Sequence, residues 1–200
     1  MAAASPAGRR LVVVALVVLS LNLRTAAVSV GPVLEEVTDG LGMSHTVAGV
    51  LTSLPVLAFA GFGALAPALA RRVGIHRTTV AALVAVVAGL AARAAVGDQY
   101  VFLLLSLVAL GGMATANVLI PSLVKLHFPD RVGAVTALYT TALAIGLTCA
   151  LLLTVPIAEA GRGWRTGLAV WAVPAAAAVV PWLGLIAHDR RLGPPTTTIR

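Results

Sequence analysis

The stretch LVVVALVVLSLNLRTAAVSVGPVL, residues 11–34, contains a single charged side chain, Arg24. About 20 mostly apolar residues are enough for an α-helix to cross the hydrocarbon core of a bilayer. Five further stretches meet the same criterion, at about 47–70, 79–96, 101–124, 132–156 and 166–187. The sequence therefore predicts an all-α membrane protein with six transmembrane helices over 11–187, between an N-terminus at 1–10 and a tail at 188–200.

The composition excludes a soluble domain. Of the 200 residues 60% are hydrophobic and 10% are charged, whereas an average globular chain is about 45–50% apolar and about 25% charged. The formal net charge of +7 would suggest nucleic acid for a soluble protein. The long apolar runs leave no water-facing basic surface, so no nucleic-acid partner is expected. The lone Cys149 excludes a disulfide framework and a cysteine-based zinc site, and we expect no metal or cofactor.

The basic residues are distributed unevenly between the two sides of the predicted membrane. With the N-terminus inside, the outer loops carry only Arg162 and Arg165, while ten Lys and Arg residues lie inside. The ten are Arg9, Arg10, Arg71, Arg72, Arg77, Lys125, Arg131, Arg190, Arg191 and Arg200. The positive-inside rule therefore predicts that both termini are cytoplasmic and that the basic side contacts anionic lipid headgroups. The expected location is a bacterial plasma membrane.

The Arg9-Arg10 pair before an apolar run also resembles a secretory signal. We do not favour that interpretation, because Asn22 and Arg24 interrupt the run and nothing soluble follows for a signal to export.

Arg24 is the intramembrane polar residue that most needs a partner. An arginine near the bilayer centre costs at least about 2.5–3.5 kcal/mol. Every Asp, Glu and His falls outside the six predicted spans, and the histidines are His45, His76, His127 and His188. Backbone carbonyls, water, an acid on another segment or an anionic substrate must therefore neutralise Arg24. Asn22, Thr25 and Ser29 recur on one helical face, with Arg24 at its edge.

Spans three and six carry almost no polar side chains and are predicted to face lipid at the periphery. Arg93, near the outer end of span three, is predicted to extend to water along the lipid surface.

Spans two, four and five carry further departures from an apolar helix. Asn117 precedes Pro121 by four residues, so the proline leaves the Asn117 carbonyl without its helical donor. Span two repeats this device at Pro55, and span five places Tyr139 about two turns inside the membrane. Two groups of three spans thus each end in an apolar span, as expected for two inverted three-helix repeats.

Six segments of the chain resemble the N-terminal half of a major facilitator superfamily transporter, specifically the cyanate / 2-nitroimidazole permease family. They are NLRTAAVSVGPVLEEV (22–37), GLGMSHTVAGVLTSLPVLAF (40–59), LAPALARRVG (65–74), ATANVLIPSLVKLHFPDRVG (114–133), ALYTTALAIG (137–146) and GWRTGLAVWAVPA (163–175). The resemblance implies a central cavity lined by helices one, two, four and five. It also implies that four residues face the substrate route: Arg24, Asn22, Asn117 and Tyr139.

The loop after helix two in this superfamily carries a cytoplasmic gate motif similar to G-x-x-x-D-R-x-G-R-R. Aligned on Gly74, this chain keeps Arg72 and Arg77 but has Pro67 and Arg71 in place of the glycine and the acid. The resemblance therefore implies a gate made of Arg71, Arg72, Gly74 and Arg77 that lacks its acidic member.

These features favour a secondary transporter of a small anionic or polar solute, cyanate-like or nitroimidazole-like. The superfamily normally has twelve spans, so we expect a fragment lacking the C-terminal six helices, or else a chain that pairs with a second copy or a separate C-terminal half. A drug or metabolite exporter of the same superfamily and a structural six-helix protein are the alternatives. Enzymatic activity is not expected, because no span offers the histidine of a serine protease or the ligands of a metalloenzyme.

Overall fold

The computed structural model describes the backbone of residues 6–191 and the side chains of residues 8–185. Within these residues every regular element is helical. Six helical segments are long and apolar enough to cross a membrane, and we number them spans 1 to 6: Gly8–Gly40, His45–Val73, Ile75–Arg93, Gln99–His127, Val132–Ala160 and Trp164–Leu185. The predicted all-α, six-span fold is confirmed.

Span 1 is not one continuous helix. It consists of α1 (Pro6–Leu23), α2 (Thr25–Val28), a 3₁₀ turn (Gly31–Val33) and α3 (Leu34–Gly40). Pro32 has no N–H group, so the Val28 carbonyl has no backbone donor one turn later. Arg24 lies at the first interruption.

Span 2 is also interrupted, by a π-helical turn at Phe59–Gly63 between α4 (His45–Ala58) and α5 (Ala64–Val73). Such wide turns insert one extra residue into a helix and often occur at functional sites. The remaining helices are α6 (Ile75–Ala95), α7 (Gln99–His127), α8 (Val132–Ala160), α9 (Trp164–Ala169) and α10 (Ala172–Arg191).

Polar residues cap the start of two spans, Ser44 before α4 and Asp98 before α7. Asp98 accepts hydrogen bonds from the Tyr100 and Val101 N–H groups at 2.9 Å and so starts α7. The break predicted at 71–78 is present but shorter than expected, because only Gly74 separates α5 from α6. Its φ of 98° lies in a region that favours glycine, which permits this abrupt turn.

The main interhelical contacts occur in pairs that correspond between the two halves of the chain. Span 1 packs against spans 5 and 6, and span 4 packs against spans 2 and 3. Spans 3 and 6 contact each other, as do spans 1 and 4. These relations are unchanged when spans 1, 2 and 3 are exchanged with spans 4, 5 and 6, as in two inverted three-helix repeats.

Glycines allow the closest helix contacts. A β-carbon added to Gly146 in span 5 would overlap the backbone carbonyl of Leu21 in span 1. One added to Gly112 in span 4 would overlap the carbonyl of Ala82 in span 3. Small residues at such crossings let helix backbones approach closely in a membrane.

Spans 2 and 5 form the most exposed side of the bundle. Their most apolar windows are only 22% and 28% buried, against 61% for span 4. Spans 3 and 6, predicted to be the lipid-facing periphery, are more buried, at 39% and 33%. The reason is that they pack against each other and against spans 4 and 1. We call the exposed surface of spans 2 and 5 the open face.

Candidate functional site

Arg24 lies near the middle of span 1, with an exposed side chain. Its backbone carbonyl accepts hydrogen bonds from the Ala27 and Val28 N–H groups at 3.2 and 3.1 Å, which fixes Arg24 to α2. Its guanidinium makes no hydrogen bond or ion pair with residues 8–185. The side chain predicted to need a partner is therefore available to one from outside these residues.

Asn22 and Thr25 are buried on another side of span 1. The Asn22 amide donates to the Val18 carbonyl at 2.7 Å, and the Thr25 hydroxyl donates to the Asn22 carbonyl at 2.7 Å. Both residues line a cavity of about 220 Å³ together with Cys149 and Trp171 of spans 5 and 6. The structure therefore does not bring Asn22 and Arg24 to one surface.

Asn117 and Tyr139 are half-buried, on spans 4 and 5. Tyr139 packs against the apolar core. Neither side chain has a hydrogen-bond partner among the described residues. Since α2 packs against both of these spans, the helix that follows Arg24 contacts the elements carrying Asn117 and Tyr139.

Exposed hydroxyl groups lie on spans 2 and 5. Each donates a hydrogen bond of 2.9 Å to a carbonyl of its own helix: Thr52, Ser53, Thr140, Thr141 and Thr148. A hydroxyl that donates to its own helix still has oxygen lone pairs that can accept. The open face thus combines exposed apolar side chains with hydrogen-bond acceptors.

Arg93 is fully buried, so its predicted extension to water is wrong. Its Nη1 donates to the Ala26 carbonyl at 3.2 Å and its Nη2 donates to the Ser29 hydroxyl at 3.0 Å. Arg93 lies on the same helical face as the buried Val86 and Leu90, which turns it towards the bundle. That periodicity was the sequence signal for burial.

The predicted gate residues lie where spans 2 and 3 join. Arg71, Arg72 and Arg77 are exposed, and none forms an ion pair with an acid in residues 8–185. Gly74 supplies the sharp turn, and its carbonyl accepts from both the N–H group and the hydroxyl of Thr78, at 3.0 and 2.9 Å.

An ion pair that sequence reasoning missed lies at the same end of the bundle. Arg9 donates to both Asp130 oxygens, at 2.9 and 3.1 Å, and its guanidinium stacks 5.3 Å from the centre of the Phe128 ring. The hydrogen bond from Arg9 lowers the pKa of Asp130. The contact connects the start of span 1 to the turn between spans 4 and 5.

Comparison with known proteins relates this chain to membrane transporters. The sequence profile of the Major Facilitator Superfamily matches residues 12–199. An "Uncharacterized transporter YycB" of Bacillus subtilis (strain 168) is 36% identical over 86% of this chain and 43% of its own length. The "2-nitroimidazole transporter" of Escherichia coli (strain K12) is 32% identical over 80% of this chain and 40% of its own length.

A third relative, the "Cyanate transport protein CynX" of Escherichia coli (strain K12), is 30% identical over 92% of this chain and 48% of its own length. The chain thus spans less than half the length of each of these three proteins.

Proposed function

Because the chain belongs to the major facilitator superfamily, we propose that it supplies six spans of a secondary transporter for a small anionic or polar solute. Cyanate-like and nitroimidazole-like solutes are the proposed classes, since relatives carry those names. The observation that carries the proposal is Arg24, an exposed arginine at a helix interruption inside the membrane.

The chemistry of Arg24 suits recognition of a small anion or a polar ring. A guanidinium presents a planar set of N–H donors and keeps its positive charge. Where water is scarce, an arginine without an acidic partner attracts a negative group strongly. Asn117 and Tyr139 add neutral hydrogen-bonding groups on neighbouring spans. Asn22, which is buried and bonded to its own helix, supports the shape of span 1 in this proposal.

Energetics restrict the direction of transport. Moving a monovalent anion inwards against an inside-negative potential costs about 2.3 kcal/mol per 100 mV. Uptake therefore requires a coupled cation, or a solute that is neutral when it crosses. Export of the same anion is downhill, and counterflow measurements in both directions distinguish the two.

We propose the bacterial plasma membrane as the location, with both termini in the cytoplasm. The exposed Arg10, Arg72, Arg77 and Lys125 at the Arg9 end of the bundle support this orientation through the positive-inside rule. The proposed partner is a C-terminal six-helix half or a second copy, packed on the open face. Alternating access requires two bodies that move about a site between them.

The proposal is tested by replacing Arg24. With the chain in lipid nanodiscs, binding of radiolabelled cyanate and of 2-nitroimidazole is measured for the wild type, Arg24→Ala and Arg24→Lys. Loss of a hydrogen bond to a charged group predicts at least about tenfold weaker binding for Arg24→Ala. The affinity of Arg24→Lys for the probes should lie between those of the wild type and Arg24→Ala, because the charge remains but the planar set of donors is lost.

Arg162→Ala is the matched control, since Arg162 is also an exposed arginine but lies in the turn before span 6. It should bind both probes like the wild type. Unchanged binding in Arg24→Ala would contradict the proposed anchor.

A further inference from the structure

Arg93 is a buried cation with no acidic partner among residues 8–185. Its side chain is 0% exposed, and its Nε has no hydrogen-bond acceptor there. Its two bonded nitrogens reach only a carbonyl and a hydroxyl. Burying a charge that lacks an ion-pair partner and some of its hydrogen bonds does not usually stabilise a fold. The contacts of Arg93 therefore point to a role other than stabilising the fold.

Both acceptors of Arg93 belong to the interrupted part of span 1. Ala26 lies inside α2, and Ser29 directly follows its last residue. The carbonyls at a helix C-terminus lack backbone donors and carry partial negative charge, so a cation is favourable there. In an uninterrupted helix the Ala26 carbonyl would accept from the N–H group of Val30. By bonding this carbonyl, Arg93 favours the interrupted form of span 1 over a continuous helix.

The contact of Arg93 with span 1 extends to Arg24 through the backbone. The Arg24 carbonyl accepts hydrogen bonds from the Ala27 and Val28 N–H groups. The carbonyl of Ala26, in the same helical turn, accepts a hydrogen bond from the Arg93 guanidinium. We infer that Arg93 is a positioning residue that holds α2, and with it the Arg24 side chain, in the arrangement that meets the solute. The inference rests on the proposed role of Arg24, but its structural part can be measured without a solute.

The lone cysteine makes a direct test practical. In a Cys149→Ser background, Arg24→Cys is introduced into the full chain, and the rate at which a charged methanethiosulfonate reagent modifies the new thiol is measured in membranes. Adding Arg93→Met should change this rate by about threefold or more, the size expected when a coupling contact is lost. Arg93→Lys should change it less, because its ammonium keeps the charge and can reach one acceptor.

Thr52→Cys on span 2 is the control, since this residue is exposed and lies in α4, which is not among the elements that Arg93 bonds. Its rate should be the same with and without Arg93→Met. An unchanged rate for the thiol at position 24 overturns the inference, and so does an equal change at both positions, which indicates general loss of structure. If Arg93→Met does not fold, Ser29→Ala is used instead, because it removes one hydrogen-bond acceptor of Arg93 and leaves the charge in place. An unchanged modification rate at position 24 in Ser29→Ala also overturns the inference.

Binding of the 2-nitroimidazole and cyanate probes gives the second measurement. Arg93→Met should weaken binding when Arg24 is present and have no further effect in Arg24→Ala. Additive losses would overturn the positioning role. Wild-type chain that binds neither probe would count against the proposed function, while the modification rate of the thiol at position 24 would still decide whether Arg93 holds α2.

Discussion

At the scale of single residues, the Arg9–Asp130 pair predicts a pH effect whose sign can be worked out. The hydrogen bond from Arg9 lowers the pKa of Asp130 below its ordinary value of 3.8. A carboxyl whose pKa is lower in the folded state contributes stability above its unfolded pKa and loses it as pH falls through the folded pKa. The thermal midpoint of the wild type should exceed that of Asp130→Asn at neutral pH, and the difference should begin to shrink below about pH 4 and vanish only below the folded pKa.

The effect should be small, because both side chains are largely exposed and water screens such pairs. Asp39→Asn is the control, since Asp39 is also an exposed acid but has no ion-pair partner in residues 8–185. A difference between wild type and Asp130→Asn that persists unchanged at low pH would contradict the assignment to this carboxylate.

The two intramembrane arginines show how far the sequence could predict single residues. Arg24 was predicted to be neutralised by carbonyls, water, an acid on another segment or an anionic substrate, and its side chain is exposed near the middle of span 1. Arg93 was misplaced, because its environment depends on how span 3 is rotated against span 1. Ser29 and Ala26, its acceptors, are more than 60 residues away in the chain. A contact of that kind leaves only a weak periodic signal in the sequence.

At the scale of helices, the crossing of spans 1 and 5 predicts a strong effect of one methyl group. A β-carbon at Gly146 would overlap the Leu21 carbonyl, which is backbone and cannot rotate away. Gly146→Ala should therefore separate the two helices and lower stability by about 1–3 kcal/mol. The measurement is thermal unfolding in detergent, followed by tryptophan fluorescence.

Gly49→Ala provides the comparison for this substitution. Gly49 also lies within a helix, but nothing is within 4 Å of an added β-carbon. Alanine there should be neutral or slightly stabilising, since it reduces the freedom of the unfolded chain. Equal losses at both positions would mean that helix crossing is not the cause.

The helices themselves were largely predictable, since their apolar stretches are long and uninterrupted by acids. The ends of the helices were less predictable, because they depend on capping residues and tight turns. Gly74 connects two spans by itself, where sequence reasoning allowed a segment from 71 to 78. The division of span 1 at Arg24 was not predicted either.

At the scale of the whole molecule, the open face predicts where a protein partner binds. Leu152 on span 5 is 67% exposed, and Val84 on span 3 is 50% exposed. In a Cys149→Ser background, Leu152→Cys and Val84→Cys are labelled with benzophenone maleimide and irradiated in proteoliposomes. If spans 2 and 5 face a partner, the label at position 152 should give a cross-linked protein of higher mass, and the label at position 84 should react mainly with lipid.

Mass spectrometry of the product identifies a second copy of the chain or a co-reconstituted C-terminal half. Equal yields of protein cross-links from the two positions would contradict a partner confined to the open face.

The order of synthesis gives the contact between Arg93 and span 1 a further consequence. Span 1 leaves the ribosome before span 3, so the Ala26 carbonyl and the Ser29 hydroxyl can already be in the membrane when Arg93 enters it. An arginine inserted alone would meet only hydrocarbon, which disfavours its release from the translocon into lipid. We therefore expect the interruption of span 1 that shapes the finished protein also to offer Arg93 hydrogen-bond acceptors while span 3 inserts.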